Sequence, residues 1–180
     1  MNGNNLTQKA TDALGRAAEL AREYGNREIA QEHVLYALLS QDGGLIPELM
    51  KKSGIDADGM KEDALSAVEK LVRVSNGNGE YLSQALNDAL SVAEKQAREM
   101  KDEYVSVEHV FYGFIEKPSA EVKRIFEKYG VNKSGYLKSL LSVRGNVRVT
   151  SDNPEDTYDV LNKYGADLVE RARSGKLDPV

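Results

Sequence analysis

The chain has 180 residues, with 29 Asp and Glu against 24 Lys and Arg, a net charge of -5 and no cysteine. That composition excludes disulfides, thiolate metal sites and cysteine nucleophiles, and its acidic balance argues against a phosphate-backbone partner, so no nucleic acid is expected. No stretch approaches the roughly 20 apolar residues of a membrane span, and the N-terminus lacks a basic and an apolar signal region, so a cytoplasmic location without a membrane partner is expected.

The sequence repeats itself. Shifting it by 76 positions lays Leu6-Thr7-Gln8 on Leu82-Ser83-Gln84, Asp12-Ala13-Leu14 on Asp88-Ala89-Leu90, Ala21-Arg22-Glu23 on Ala97-Arg98-Glu99 and Glu32-His33-Val34 on Glu108-His109-Val110. Of the first 34 aligned positions 13 are identical without a gap. Such self-similarity is the mark of a duplicated fold unit. One unit spans about 6–72 and the second about 82–143, together one domain over 1–143.

Each unit reads as four helices. In the first, Leu6, Ala10, Ala13, Leu14, Ala17, Ala21 and Tyr24 recur at three- and four-residue steps, with Thr7 as the cap. The second begins near Gln31 and turns Val34, Leu35, Leu38 and Leu39 inward; its counterpart begins at Ser106. The third runs over 45–52 and stops at Gly54, as its partner over 119–129 stops at Gly130. The fourth helices are expected over 57–72 and 133–142. Between the units, 74–80 is a polar, glycine-rich connector and is expected to be mobile. From 144 an extended linker is expected, then a last helix over 154–173 opened by Pro154 and striped with Tyr158, Leu161, Tyr164, Leu168 and Val169. The fold class is therefore all-α: two tandem four-helix repeats related by a pseudo-two-fold axis, followed by a linker helix. The abrupt end at 175–180 reads as the front part of a longer protein.

Chemistry finds little purchase. His33 and His109 are equivalent positions early in the second helices, so a shared structural role explains both, and neither stands in HExxH spacing. There is no GxxxxGK[ST] phosphate loop. Catalytic, metal and cofactor residues are expected to be none. What remains is surface recognition at the seam of the two units, with candidates around Thr7 and Leu90 and in the stretch from Asp102 to Glu108; capping and ordinary helix packing are the competing explanation for each.

The segments Glu32-His33-Val34-Leu35-Tyr36-Ala37-Leu38-Leu39 and Tyr104-Val105-Ser106-Val107-Glu108-His109-Val110 resemble the Clp N-terminal domain. Residues 148–155, 164–168 and 172–180 resemble the linker and first ATPase residues of the bacterial ClpB type. The resemblance implies a homohexameric, ATP-dependent ring that extracts unfolded or aggregated polypeptides and threads them, helped by an Hsp70-type chaperone through a middle domain outside this chain. ATP and Mg would belong to the ATPase modules, so this chain would carry no cofactor, would not itself be an enzyme, and alone would be a monomer that captures substrate. By the same resemblance Thr7, Asp102 and Glu108 are substrate-linked polar positions and Leu90 lies in an apolar groove. His109 stands where some relatives carry an apolar residue, at the groove edge. Two alternatives stay open: docking of a folded adaptor, as in ClpA- or ClpC-type relatives, and a mechanical gate over the pore.

Overall fold

The computed structural model describes residues 5–145 and 147–150; the expected helix over 154–173 lies outside the described residues. In chain order the elements are α1 (Gln8–Glu23), β1 (Glu28–Ile29), α2 (Gln31–Ser40), α3 (Leu45–Lys52), α4 (Ala57–Glu69), β2 (Tyr81–Leu82), α5 (Gln84–Glu99), α6 (Val107–Glu116), α7 (Ala120–Tyr129) and α8 (Lys133–Arg144). The architecture is all-α, with four helices in each repeat.

Thr7 caps α1 as expected, and Ser83, its equivalent under the shift of 76, does the same for α5. Thr7 Oγ1 accepts from the Ala10 amide and Ser83 Oγ from the Leu86 amide, satisfying one orphan donor at the start of α1 and of its counterpart α5. Gly54 and Gly130 both adopt φ above +70°, a left-handed turn open to glycine, and so end α3 and α7. α2 and α6 are buried on almost every side, which makes them the centre of the molecule, around which the amphipathic helices pack into one core spanning both repeats.

What joins the repeats is a crossing too short for sequence periodicity to reveal. β1 and β2 pair in parallel, Glu28 with Tyr81 and Ile29 with Leu82, and an isolated parallel bridge joins Leu6 to Val105. Under the shift of 76 these are one contact made twice. The Thr7 amide donates to the Val105 carbonyl at 3.0 Å and the Ser83 amide to the Ile29 carbonyl at 2.9 Å. Each repeat thus lays the residues ahead of its first helix against the other repeat's loop between first and second helices.

Three expectations need correction. α4 ends at Glu69, not 72, and α8 continues to Arg144. The connector is tied down: Val74, Gly79 and Glu80 donate amide hydrogens to the carbonyls of Gly25, Asn26 and Arg27. Its glycines serve close approach, because a Cβ on Gly77 would lie 2.1 Å from the Gly25 carbonyl oxygen. The segment after α8 is no free linker at its start, for Val149 is fully buried against the core.

In repeat 2 the first two helices approach at their backbones. A Cβ on Gly113 of α6 would meet the Ala89 carbonyl oxygen of α5 at 2.1 Å; the shift of 76 places Ala37 and Ala13 at the equivalent positions of repeat 1. Overpacking of this kind costs about 1–3 kcal/mol. Gly113→Ala should therefore lower the stability in urea denaturation, although Ala adds roughly 1 kcal/mol to an unhindered helix. Gly15→Ala, on an exposed stretch of α1 with nothing near its would-be Cβ, should raise it.

Candidate functional site

The two loops that receive the crossing are built on one plan. In repeat 1, His33 Nδ1 accepts from the Ala30 amide at 2.8 Å while Nε2 meets Asn26 Oδ1 at 2.9 Å. In repeat 2, His109 Nδ1 accepts from the Ser106 amide at 2.9 Å and Nε2 meets Asp102 Oδ2 at 2.7 Å. A backbone N–H can only donate, so each ring carries its proton on Nε2 and is neutral, with both nitrogens engaged. Burial agrees: it pulls the His33 pKa down to about 4 and pulls that of His109 down as well, against the opposing pull of Asp102. Among the described residues, no group of three or more His, Cys, Asp or Glu is placed to hold a metal, and no helix is long and apolar enough to cross a membrane.

The repeats differ in the residue facing the histidine. Asn26 is neutral, and its amide donates to the Val72 carbonyl at 3.0 Å. Asp102 is a carboxylate whose side chain is 0% exposed, and it needs a counter-charge. Arg144, the last residue of α8, supplies one with a two-pronged contact: Nη1 to Oδ2 at 2.8 Å and Nη2 to Oδ1 at 2.5 Å. The Val149 amide adds a third donor to Oδ1 at 2.9 Å. Burial pushes the Asp102 carboxyl up, but the hydrogen bonds from His109, Arg144 and Val149 outweigh it and hold the group at about 2. Beside it, Ser106 Oγ donates to the Glu108 carboxylate, and the Tyr136 hydroxyl donates to the Glu108 carbonyl at 2.8 Å.

A polar clamp also spans the seam. Gln31 donates to the carbonyls of Ala85 and Lys117 and accepts from the Ser119 amide, while Ser119 Oγ donates to Glu32 at 2.5 Å. Burial raises the Glu32 pKa against that hydrogen bond.

All five residues expected at the recognition site are buried: Thr7 caps α1, Leu90 lies inside α5, and Asp102, Glu108 and His109 form the network just described. In this conformation they have almost no surface to offer a partner. The Thr7–Val105 hydrogen bond brings Thr7 to the loop that carries Asp102 and leads into α6, where Glu108 and His109 stand, whereas Leu90 belongs to the helix core. Sequence reasoning missed Arg144, whose place at the edge of a linker-like stretch concealed it. It also missed Asn26, which the shift of 76 places on Asp102.

The exposed apolar surface lies elsewhere. Val72 is 80%, Tyr81 53%, Val74 41% and Leu82 38% exposed; of the large apolar side chains exposed among the described residues, only Leu141 stands apart from this run. Val72 and Val74 border a cavity of about 300 Å³ shared with Asn26, Arg27, Glu28 and Ala30. The Arg27 guanidinium sits 5.6 Å above the Tyr81 ring, so cavity and strand β2 form one continuous strip.

Removing one member of a buried ion pair costs about 3–5 kcal/mol. Asp102→Asn, which copies repeat 1, strands the Arg144 guanidinium and should lose stability of that order in urea denaturation; adding Arg144→Met should recover much of it. Acid should act in two windows. The histidines have folded pKa values below the unfolded 6.5, so the stability tied to their neutral forms is complete above about pH 6.5 and falls below it, for His33 toward pH 4. Glu32, raised, opposes this above its unfolded value of 4.5. The contribution of Asp102 is complete above its unfolded value of 3.8 and is lost as pH falls toward 2. Urea midpoints measured from pH 7.5 downward should begin to drop near 6.5; a flat profile to pH 4 would contradict the neutral-histidine assignment.

Residues 5–129 match the family described as the Clp repeat (R) N-terminal domain. The chaperone protein ClpB of Bacillus cereus is 38% identical over 184 residues, an alignment covering 100% of this chain and 21% of that protein. The chain thus spans about a fifth of the length of that relative. Among solved structures, the Hsp104 N-terminal domain from Candida albicans is similar with a TM-score of 0.73 at 21% identity, covering 84% of this chain and 99% of that one. A ClpV N-domain in complex with a VipB peptide is similar with a TM-score of 0.65 at 20% identity, covering 79% and 89%. At such identities the structures speak to the fold alone. With a family model matching more than half of the chain and a ClpB relative aligned along all of it, the chain belongs to the Clp repeat (R) N-terminal domain family.

Proposed function

We propose that the chain is the substrate-capture module of a ClpB-type, ATP-dependent disaggregase, and that it takes up unfolded polypeptide on the strip formed by Val72, Val74, Tyr81 and Leu82. The observation that carries this reading is the concentration of exposed apolar side chains at the two ends of the connector, at the junction of the repeats. Apolar segments of an unfolded chain gain contact area there, and Arg27 and Glu28 at its edge offer charges that orient flanking polar groups. Thr7, Asp102, Glu108 and His109 frame the opposite crossing and Leu90 the core of α5, while the loop on which the strip is mounted is held by Asn26 and His33. That a ClpV N-domain of the same fold is seen with a VipB peptide supports peptide capture as a use to which this fold is put.

In this reading ATP hydrolysis, hexamerisation and contact with an Hsp70-type chaperone belong to other parts of a longer protein. A shallow strip binds weakly by itself, and six copies on one ring raise the effective concentration for a long, unfolded ligand.

The 180-residue chain titrated with reduced, carboxymethylated α-lactalbumin should show amide shifts concentrated at 27–30 and 72–82. Val74→Ser with Tyr81→Ser, both on exposed positions, should weaken binding about tenfold through lost apolar contact. Shifts confined to other surfaces, or unchanged affinity in the double variant, would overturn the assignment. Capture of one folded partner in fixed proportion, with no binding of the unfolded probe, would instead favour adaptor docking.

A further inference from the structure

The pseudo-two-fold axis relates two contacts that have been filled differently. Where α7 meets α4, the Tyr129 hydroxyl donates to Asp63 Oδ2 at 3.0 Å and Lys128 Nζ donates to the same oxygen at 2.7 Å. The Lys128 ammonium also lies 5.3 Å from the Tyr129 ring centre. A ring, a carboxylate and an ammonium close that side of the seam. The shift of 76 maps this contact onto the meeting of α3 with α8, with Ser53 in place of Tyr129, Ser139 in place of Asp63 and Lys52 in place of Lys128.

There Ser53 Oγ donates to the Leu49 carbonyl at 2.9 Å and accepts from the Ser139 hydroxyl at 2.6 Å, which keeps the helices in register but leaves the volume of a phenol ring and a carboxylate unfilled. A cavity of about 420 Å³ results, inside the range of about 300–1,000 Å³ typical of ligand sites. Its apolar lining comes from Met50, Ile55, Val131 and Tyr136, the last with its hydroxyl already committed to the Glu108 carbonyl. Lys52 and Lys138 stand at its rim, and none of its described lining residues is Asp or Glu. On the filled side, Glu62 occupies the position equivalent to Lys138, so the open side has exchanged acidic charge for basic.

We propose that this cavity is a second recognition site, which binds a peptide segment presenting an aromatic side chain next to a carboxylate. The ring takes the apolar space that Tyr129 fills on the other side, and the carboxylate lies at the rim beside the lysine ammoniums, as Asp63 lies beside Lys128. The filled half thus serves as an internal template for the ligand of the open half. The site shares no residue with the strip at 72–82, so each stands or falls by its own variants.

The test uses the 180-residue chain and three fluorescein-labelled nonapeptides, in which a Gly-Ser background carries a central Asp-Tyr-Asp, Asn-Tyr-Asn or Asp-Ala-Asp. Anisotropy should show the first binding and the other two each weaker by about tenfold or more, the loss expected from two ion pairs or one buried ring. Ser53→Tyr with Ser139→Asp rebuilds the filled contact inside the cavity and should abolish binding. Should that variant fail to fold, Lys52→Glu with Lys138→Glu changes only exposed side chains and should abolish it equally. Val74→Ser with Tyr81→Ser should leave it unchanged. Equal binding of all three peptides, or binding that survives both cavity variants, would overturn the proposal, as would loss of binding in the strip variant alone.

Discussion

The structure depends on a backbone exchange: each repeat gives its entry strand to the other. The bridge between Leu6 and Val105 and its duplicate between Ile29 and Leu82 place the cap residues Thr7 and Ser83, and through them the starts of α1 and α5. A repeat on its own has no partner for these amides, and a buried polar group left unmatched costs more than its hydrogen bond contributes when made. The two units therefore form one domain with a common core. Small residues then become necessary: Ala10, Ala13, Ala17 and Ala21 in one half, and Ala89, Ala93, Ala97 and Gly113 in the other, let helices lie close enough for the crossing to reach.

Within this shared frame the halves have diverged in polar filling. The neutral Asn26 can be satisfied by the Val72 carbonyl and the neighbouring histidine. Its counterpart Asp102 brings a charge into the interior, and that charge recruits Arg144 and the Val149 amide from the other end of the repeat. A one-atom change in side-chain chemistry at equivalent positions has altered what the segment at and beyond each fourth helix supplies: the Val72 carbonyl in the first repeat, the Arg144 guanidinium and the Val149 amide in the second. The same divergence, run the other way, separates Tyr129 and Asp63 from the two serines. Duplication supplies the symmetry, and substitution at its polar contacts gives the two sides different surfaces.

Much of the fold was legible in the sequence because helices announce themselves through apolar periodicity and caps. The ends at Gly54 and Gly130, the starts at Thr7 and Ser106, and the structural equivalence of His33 and His109 all follow from local pattern plus the repeat. Two-residue strands carry no period at all, so the crossing was not visible. The glycines at 77 and 79 read locally as signs of freedom, whereas in the fold they allow a close approach to the loop at 25–26 and to α1. For the candidate site, composition misled in a consistent way. Asp102, Glu108 and His109 are residues that usually face water, and only long-range partners make their burial tolerable. Arg144 lies 42 positions from Asp102, beyond the reach of any local rule.

Both ends of the described chain meet on one loop. The Val105 amide donates to the Asn5 carbonyl, and two residues earlier the Glu103 amide donates to the carbonyl of Val149, whose own amide returns to Asp102. The consequence is mechanical. Tension applied to the chain from residue 150 onward is borne first by these bonds and by the ion pair beneath them, and a pull on the N-terminal strand loads the same loop from its other side. The loop from 102 to 105 is thus a tether point: a force reaching it from residue 150 is shared with α8 through Arg144, and one reaching it from the N-terminal strand is shared with α1, which Thr7 caps.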